Sequence, residues 1–176
     1  EAPLRHHSRE RLFSLEARAV LVAPDRAPLP TAADAVTLRP AEPDDAGFLW
    51  RALSWAAHMP GDGTDEDVAA AQTEEGLVRY VEGFGRDGDA GVIAVAGGAP
   101  VGAAWIRTIR AYGFVRDDVP ELAIGVAPAW RGHGLGDRML QALLPAALAA
   151  HPGVSLSVRS DNPAVRLYQR AGFAIV

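Results

Sequence analysis

The sequence predicts an α+β domain whose mixed central β-sheet is flanked by helices, in the order β-α-α-β-β-β-α-β-α-β. Three observations carry this expectation. Short apolar runs recur along the chain; stretches of helical periodicity separate most of them; and two runs meet at a Gly-Gly turn, which sets an antiparallel hairpin among strands otherwise joined through helices. With 176 residues, 49% hydrophobic, the chain can bury one core and is too short for two comfortable domains.

Residues 1–35 read as an extension or linker, charged at first and then "APDRAPLPTAAD", expected to be partly mobile or to pack outside a domain spanning 36–176. "VTLRP" (36–40) is a short strand. In "AEPDDAGFLWRALSWAAHM", Pro43 suits a first helical turn, acidic residues sit at the positive end of the helix, and Leu49, Leu53 and Ala56 form one stripe. "MPGDGTDED" breaks that helix, and "AQTEEGLVRYVEGFG" restarts one with Leu77, Val81 and Phe84 inward. The hairpin is "GVIAVAGGAPVGAAWIRTIR", and "ELAIGVAP" (121–128) is the next strand. A helix with Leu140, Leu143, Leu144, Ala147 and Leu148 on one face follows, with Pro145 expected to kink it. "VSLSVRS" alternates as a strand; Asn162 as cap, Pro163 at the first position and Gly172 as stop delimit the last helix before a final strand begins at "FAIV".

Composition excludes several classes. Without cysteine there are no disulfides, thiolate metal sites or cysteine nucleophile, and the expected compartment is the cytoplasm. All 17 basic residues are arginine, and a net charge of −5 leaves no excess of positive charge for a phosphate backbone, so no nucleic-acid partner is expected. No apolar run reaches the roughly 18 residues that cross a bilayer, so no membrane partner is expected either. "HHSRE" is read as a solvated run, because adjacent histidines do not share one face, and no metal is expected.

Chemistry concentrates in "VAPAWRGHGLGDRM" (126–139), where Arg131 and three glycines open a helix. A helix start binds anions through unpaired N–H groups, and without side chains at Gly132, Gly134 and Gly136 a diphosphate can approach the backbone closely. An ordinary strand-to-helix turn is the plain alternative. The spacing is not that of the dinucleotide loop, and no lysine follows as a Walker loop requires. Arg131-x-x-Gly134-x-Gly136 after "ELAIGVAP" resembles the acyl-CoA diphosphate motif of the GNAT N-acetyltransferase superfamily. "LSVRSDNPAVRLYQRAGF" (156–173) resembles its next motif, and "VTLRPAEPDD" its usual first strand and helix entry.

The resemblance covers residues 36–176 and implies a GNAT-type sheet in which the pantetheine arm of acetyl-CoA, the co-substrate, lies in a gap beside Ile124, Gly125 and Val126. It implies that the Val126 N–H polarises the thioester carbonyl, that Arg131, Gly132, His133, Gly134, Leu135, Gly136 and Asp137 hold the diphosphate, and that Asn162 touches the cofactor. Tyr168 would give its proton to the departing thiolate, and an amine would be acetylated directly, with Glu121 as the candidate base. Each has a plain alternative: core packing for Ile124, Val126 and Tyr168, a helix cap for Asn162, a solvent-facing filler for His133, and a solvated strand-edge carboxylate for Glu121. Protein N-terminal acetyltransferases of this superfamily carry a glutamate where this chain has Ser157, which separates it from that branch. His58, Trp50, Trp55 and Met59 cluster at the end of the first helix, which borders the acceptor pocket in such folds. The rival readings are an inactive CoA-binding module for sensing or assembly and, with no Gly-x-Ser-x-Gly elbow present, more remotely a hydrolase. GNAT proteins continue past Gly-Phe with further strands, so a final strand is expected to be missing here, and the sheet edge left open would invite a homodimer.

Overall fold

The computed structural model describes residues 17–21, 36–58 and 62–176. One seven-stranded sheet contains β1 (Ala17–Leu21), β2 (Val36–Pro40), β3 (Ala90–Ala96), β4 (Ala99–Arg107), β5 (Glu121–Val126), β6 (Val154–Val158) and β7 (Ala174–Ile175), in spatial order β2-β3-β4-β5-β6-β1-β7. β2 to β5 form an antiparallel meander, β5 and β6 run parallel, and β1 is antiparallel to both its neighbours. Helices α1 (Ala46–Ala56), α2 (Asp65–Thr73) and α3 (Glu75–Val81) lie between β2 and β3; α4 (Leu135–Ala150) joins β5 to β6, and α5 (Val165–Arg170) follows β6. The mixed sheet is the one expected.

Strand periodicity sorts the core into two layers. Ile93, Ala103, Trp105 and Ala123 face one side and pack with Leu49, Leu53, Leu77 and Val81 of α1 and α3. Their neighbours Ala94, Ala104, Ile106 and Leu122 face the other, against Met139, Leu140, Leu143 and Leu144 of α4. The β3–β4 turn takes left-handed backbone at Gly97 and Gly98, with φ of 57° and 81°, as a tight hairpin requires. At the end of β4, Arg107 is buried: its Nε donates to Asp89 Oδ1 at 3.1 Å, and its two terminal nitrogens donate to the carbonyls of Arg79, Glu82 and Gly83. These bonds satisfy carbonyls at the C-terminal end of α3 that no helical amide can reach.

Four expectations are corrected. Residues 17–21, read as part of an extension partly mobile or packed outside the domain, form β1 and pair with β6 over five residues, so β6 lies inside the sheet and the edge on that side is the two-residue β7. "DED" does not belong to a break but opens α2, because Thr64 and Asp67 form a reciprocal capping box. α4 runs unbroken through Pro145, which lies on its exposed face. Asn162 does not cap α5: its Oδ1 accepts from the Ala164 amide at 2.8 Å within a turn that also holds Pro163, and the helix starts at Val165 with Ala164 in the cap position and no side-chain cap bond. Met59 and "HHSRE" lie outside the described residues.

Candidate active site

β5 and β6 share one registered pair, Glu121 with Ser155, and part beyond it. On its other side β5 pairs with β4 so that Val126 faces Gly102 and Ile124 faces Ala104, while the Ala127 amide donates to the Val101 carbonyl at 2.9 Å. Hydrogen bonds alternate along an antiparallel strand, so residues 123 and 125 bond β4 and the amides of Ile124 and Val126 turn into the gap. Gly125 has a packing reason of its own: a Cβ there would lie 2.0 Å from the Ala52 carbonyl oxygen, where α1 rests on β5.

The gap widens into a groove of about 1100 Å³ lined by Ile124–Val126, Arg131, Gly132, Gly134–Asp137 and residues 160–170. Gly132 and Gly134 hold φ of 77° and 72°, and apart from their chain neighbours no described residue comes within 4 Å of where their Cβ atoms would be, so the loop backbone is open to the groove. Gly134 is the N-cap of α4, and the first amide of that end with a helical partner is Arg138, which bonds the Gly134 carbonyl. The amides before it are free to face an anion. Gly136 serves packing as well, since a Cβ would meet Leu167 at 2.8 Å. His133 is not among the groove-lining residues; its Nδ1 lies 2.8 Å from the Arg131 carbonyl and its ring sits by Trp130. Arg131 pairs with Asp62 at 2.8 Å, and Asp137 with Arg170 at 2.8 Å.

A smaller cavity of about 100 Å³ opens behind the groove between α1, α3, β5 and β6. Ala56, His58, Ile124, Asn162 and Tyr168 line both spaces and so mark where they meet. Tyr168 packs edge-on against Phe173 at 5.9 Å, and burial alone pushes its phenol well above the usual range, so it stays protonated at neutral pH. Its hydroxyl has no hydrogen-bond partner among the described residues. Asn162 is fixed at both ends: Oδ1 takes the Ala164 amide, and Nδ2 donates to His58 Nε2 at 2.7 Å.

Glu121 is fully buried and lines neither space, which excludes the solvated strand-edge carboxylate. It accepts from the Tyr80 hydroxyl at 2.6 Å and from the Ala111 and Gly113 amides, each at 2.7 Å. Burial first, then the Glu121 charge, pushes the Tyr80 phenol well above its ordinary value. Tyr80 and Tyr112 in turn wall the small cavity, with Tyr112 pushed up to about 12 by burial and by its bond to Glu74.

Residues 49–173 match the acetyltransferase (GNAT) family, a span that includes α1, the parted strands, the glycine loop and α5. The chain belongs to the GNAT acetyltransferase family. Mycothiol acetyltransferase of Pseudarthrobacter chlorophenolicus is 35% identical to this GNAT chain over 157 residues, covering 84% of it and 46% of that relative. The chain therefore spans about half the length of that protein. A GCN5-related N-acetyltransferase from Sphaerobacter thermophilus superposes with a TM-score of 0.59 at 20% identity, over 91% of this chain and 48% of its own. The yncA protein of Salmonella typhimurium, solved with its cofactor acetyl-CoA, gives a TM-score of 0.54 at 22% identity, over 81% and 82%. At such identities the structural likeness concerns the GNAT fold.

Sequence reasoning missed several residues that line these spaces. Arg166 and Arg170 line the groove, and Tyr80 and Tyr112 line the cavity, together with Ser157, which the sequence had marked only by its departure from a glutamate. The Ser157 hydroxyl is buried without a partner among the described residues. None carries a local signal, because each becomes informative only when distant segments meet. Among the described residues no helix is long and apolar enough to cross a membrane, and no group of three or more His, Asp or Glu is arranged to hold a metal.

Proposed function

We propose that this chain transfers an acetyl group from acetyl-CoA to a primary amine by direct attack of the amine on the thioester. The observation that carries the reading is the junction at Tyr168, where a long groove edged by free strand amides meets a small aromatic-walled cavity. The residues present fit the co-substrate: an open glycine cradle at a helix start suits a diphosphate, and inward amides on β5 suit an extended amide-bearing arm. Acetyl-CoA supplies the activated acyl group and a thiolate leaving group.

The chain's own residues then orient and charge-balance the reaction. Amides of Gly132–Asp137 hold the diphosphate, with Arg131 at its edge; Arg166 and Arg170 add positive charge along the same groove. The Val126 N–H donates to the thioester carbonyl oxygen as charge develops there. The Tyr168 hydroxyl hydrogen-bonds the sulfur and shares its proton as the C–S bond breaks. Glu121 is a positioning residue in this scheme: it lines neither space, and by accepting from three donors it fixes Tyr80 and the 111–113 turn against the cavity.

The small cavity admits a slender amine-bearing end and not a folded surface, which favours a small molecule as acceptor. The name of the curated relative adds mycothiol-type acceptors to those worth assaying. Calorimetry with CoA followed by a thiol-release screen across amines tests the reading. Micromolar CoA binding and amine-dependent thiol release are expected; binding without release by any amine would favour the inactive CoA-binding module.

A further inference from the structure

An amine is mostly protonated at neutral pH and must lose a proton before it can attack, so the cavity needs a proton acceptor. Among the described residues no carboxylate lines it. Its ionisable side chains are Tyr80, Tyr112, Tyr168, Arg159 and His58. Phenols kept protonated by burial and a permanently charged guanidinium cannot take a proton from an ammonium. Histidine remains, the side chain suited to this exchange near neutral pH.

We propose that His58 accepts the proton from the incoming amine, with Asn162 presenting the imidazole in the required form. This rests on the acyl-transfer reading above. His58 follows α1 in left-handed backbone, φ 52°, a conformation uncommon for residues other than glycine but one in which His is enriched, and which places the ring at the junction of groove and cavity. Because Asn162 Oδ1 already takes the Ala164 amide, its Nδ2 faces His58 and donates to Nε2. The proton of the neutral ring therefore sits on Nδ1, and the lone pair on Nε2 is held at the junction.

An ammonium is a stronger donor than a carboxamide, so it displaces Asn162 at Nε2 and hands its proton over. The steps balance. Nε2 gains a proton as the nitrogen lone pair is freed; the C–N bond forms and the C–S bond breaks. Sulfur takes the Tyr168 proton, and the phenol is restored by the second proton the nitrogen loses. His58 returns its proton to solvent. The buried, unpartnered Ser157 hydroxyl lines the same cavity and can accept from the amine's remaining N–H.

The charged and titratable groups around His58 are Arg159 and Asp161 from the β6–α5 turn, paired at 2.8 Å; Tyr168 from α5; Tyr80 from α3; Tyr112 from the loop before β5; and Arg131 across the groove, paired with Asp62. Arg159 holds the Asp161 carboxyl below the usual range, and the three phenols are raised, so none of these four titrates between pH 5.5 and 9.

The test uses the full chain, His58→Gln and, as a second variant suited to left-handed backbone, His58→Asn. CoA affinity is measured by calorimetry, thiol release with benzylamine, spermidine and glucosamine from pH 5.5 to 9.5, and the His58 ring state by nitrogen-15 NMR with and without amine. Expected are unchanged CoA affinity, a fall of about 100-fold in kcat/KM at pH 7 in both variants, an acidic limb in the native pH profile that both variants lose, and a shift of the native ring toward imidazolium when amine is added. Retention of the limb with kcat/KM near native overturns the role of His58 while leaving acyl transfer standing. No thiol release from the native chain with any of the three amines, or a ring that stays neutral when amine binds, overturns the proposal; the former also removes the reading on which it rests.

Discussion

Tyr168, half-buried, and Glu121, fully buried, lie near the same cavity, and their surroundings give them opposite duties. The Tyr168 hydroxyl has no partner among the described residues, so Tyr168→Phe removes a donor without leaving anything unsatisfied. CoA affinity and melting temperature should hold in calorimetry, while kcat/KM in thiol release falls about 100-fold or more. Turnover within threefold of native would exclude the hydroxyl from the reaction. Glu121→Gln should act in the other direction: one carboxylate now serves two amides and a phenol, and an amide side chain cannot accept from all three. A loss of about 1–3 kcal/mol in urea unfolding is expected, with the acidic limb of the pH–rate profile retained. Disappearance of that limb would return Glu121 to the role of base. The resemblance pointed to both residues, but the strand position of Glu121 could not reveal that Tyr80, 41 positions away, would close over it. His58 was placed beside the acceptor pocket by its position after the first helix, but its bond to Asn162, 104 positions along the chain, was hidden in the same way.

At the scale of elements, two glycines with different duties separate binding from packing. Gly134→Val places a branched side chain on left-handed backbone beside the groove; CoA affinity should weaken roughly tenfold or more as the amide cradle closes, and undiminished affinity by calorimetry would refute that use of the loop. Gly125→Ala drives a methyl into the Ala52 carbonyl and should cost about 1–3 kcal/mol of stability, read by urea unfolding, as α1 is pushed off β5. Arg107→Met strips the carbonyls closing α3 and leaves Asp89 without its buried partner, for an expected loss of about 3–5 kcal/mol. Glycine loop and hairpin turn were legible because their signals are local. The start of α2 was not legible: around Thr64-x-x-Asp67 the neighbouring Gly and Asp residues mask a capping box that only the reciprocal bonds make plain.

Across the whole molecule the least legible feature is β1. "ARAVL" is short and stands before a proline-rich stretch, and nothing within it says that it will insert between β6 and β7. That position depends on a slot formed by segments more than 130 residues further along, which no local pattern encodes. Since Val20 pairs with Ser155 on one side and Ala174 on the other, Val20→Pro should lower Tm by about 2–10 °C and expose amides of β6 to hydrogen exchange. An unchanged exchange pattern on β6 would contradict the strand order. The β6 edge being covered, the gap between β5 and β6 is the opening in the middle of the sheet, and the whole functional reading depends on what enters it. A crystal structure with CoA decides this most directly. The diphosphate should lie over the amides of residues 132–137, with the pantetheine arm along Ile124–Val126 and its sulfur beside Tyr168; CoA bound on any other face of the sheet would contradict the assignment of the site.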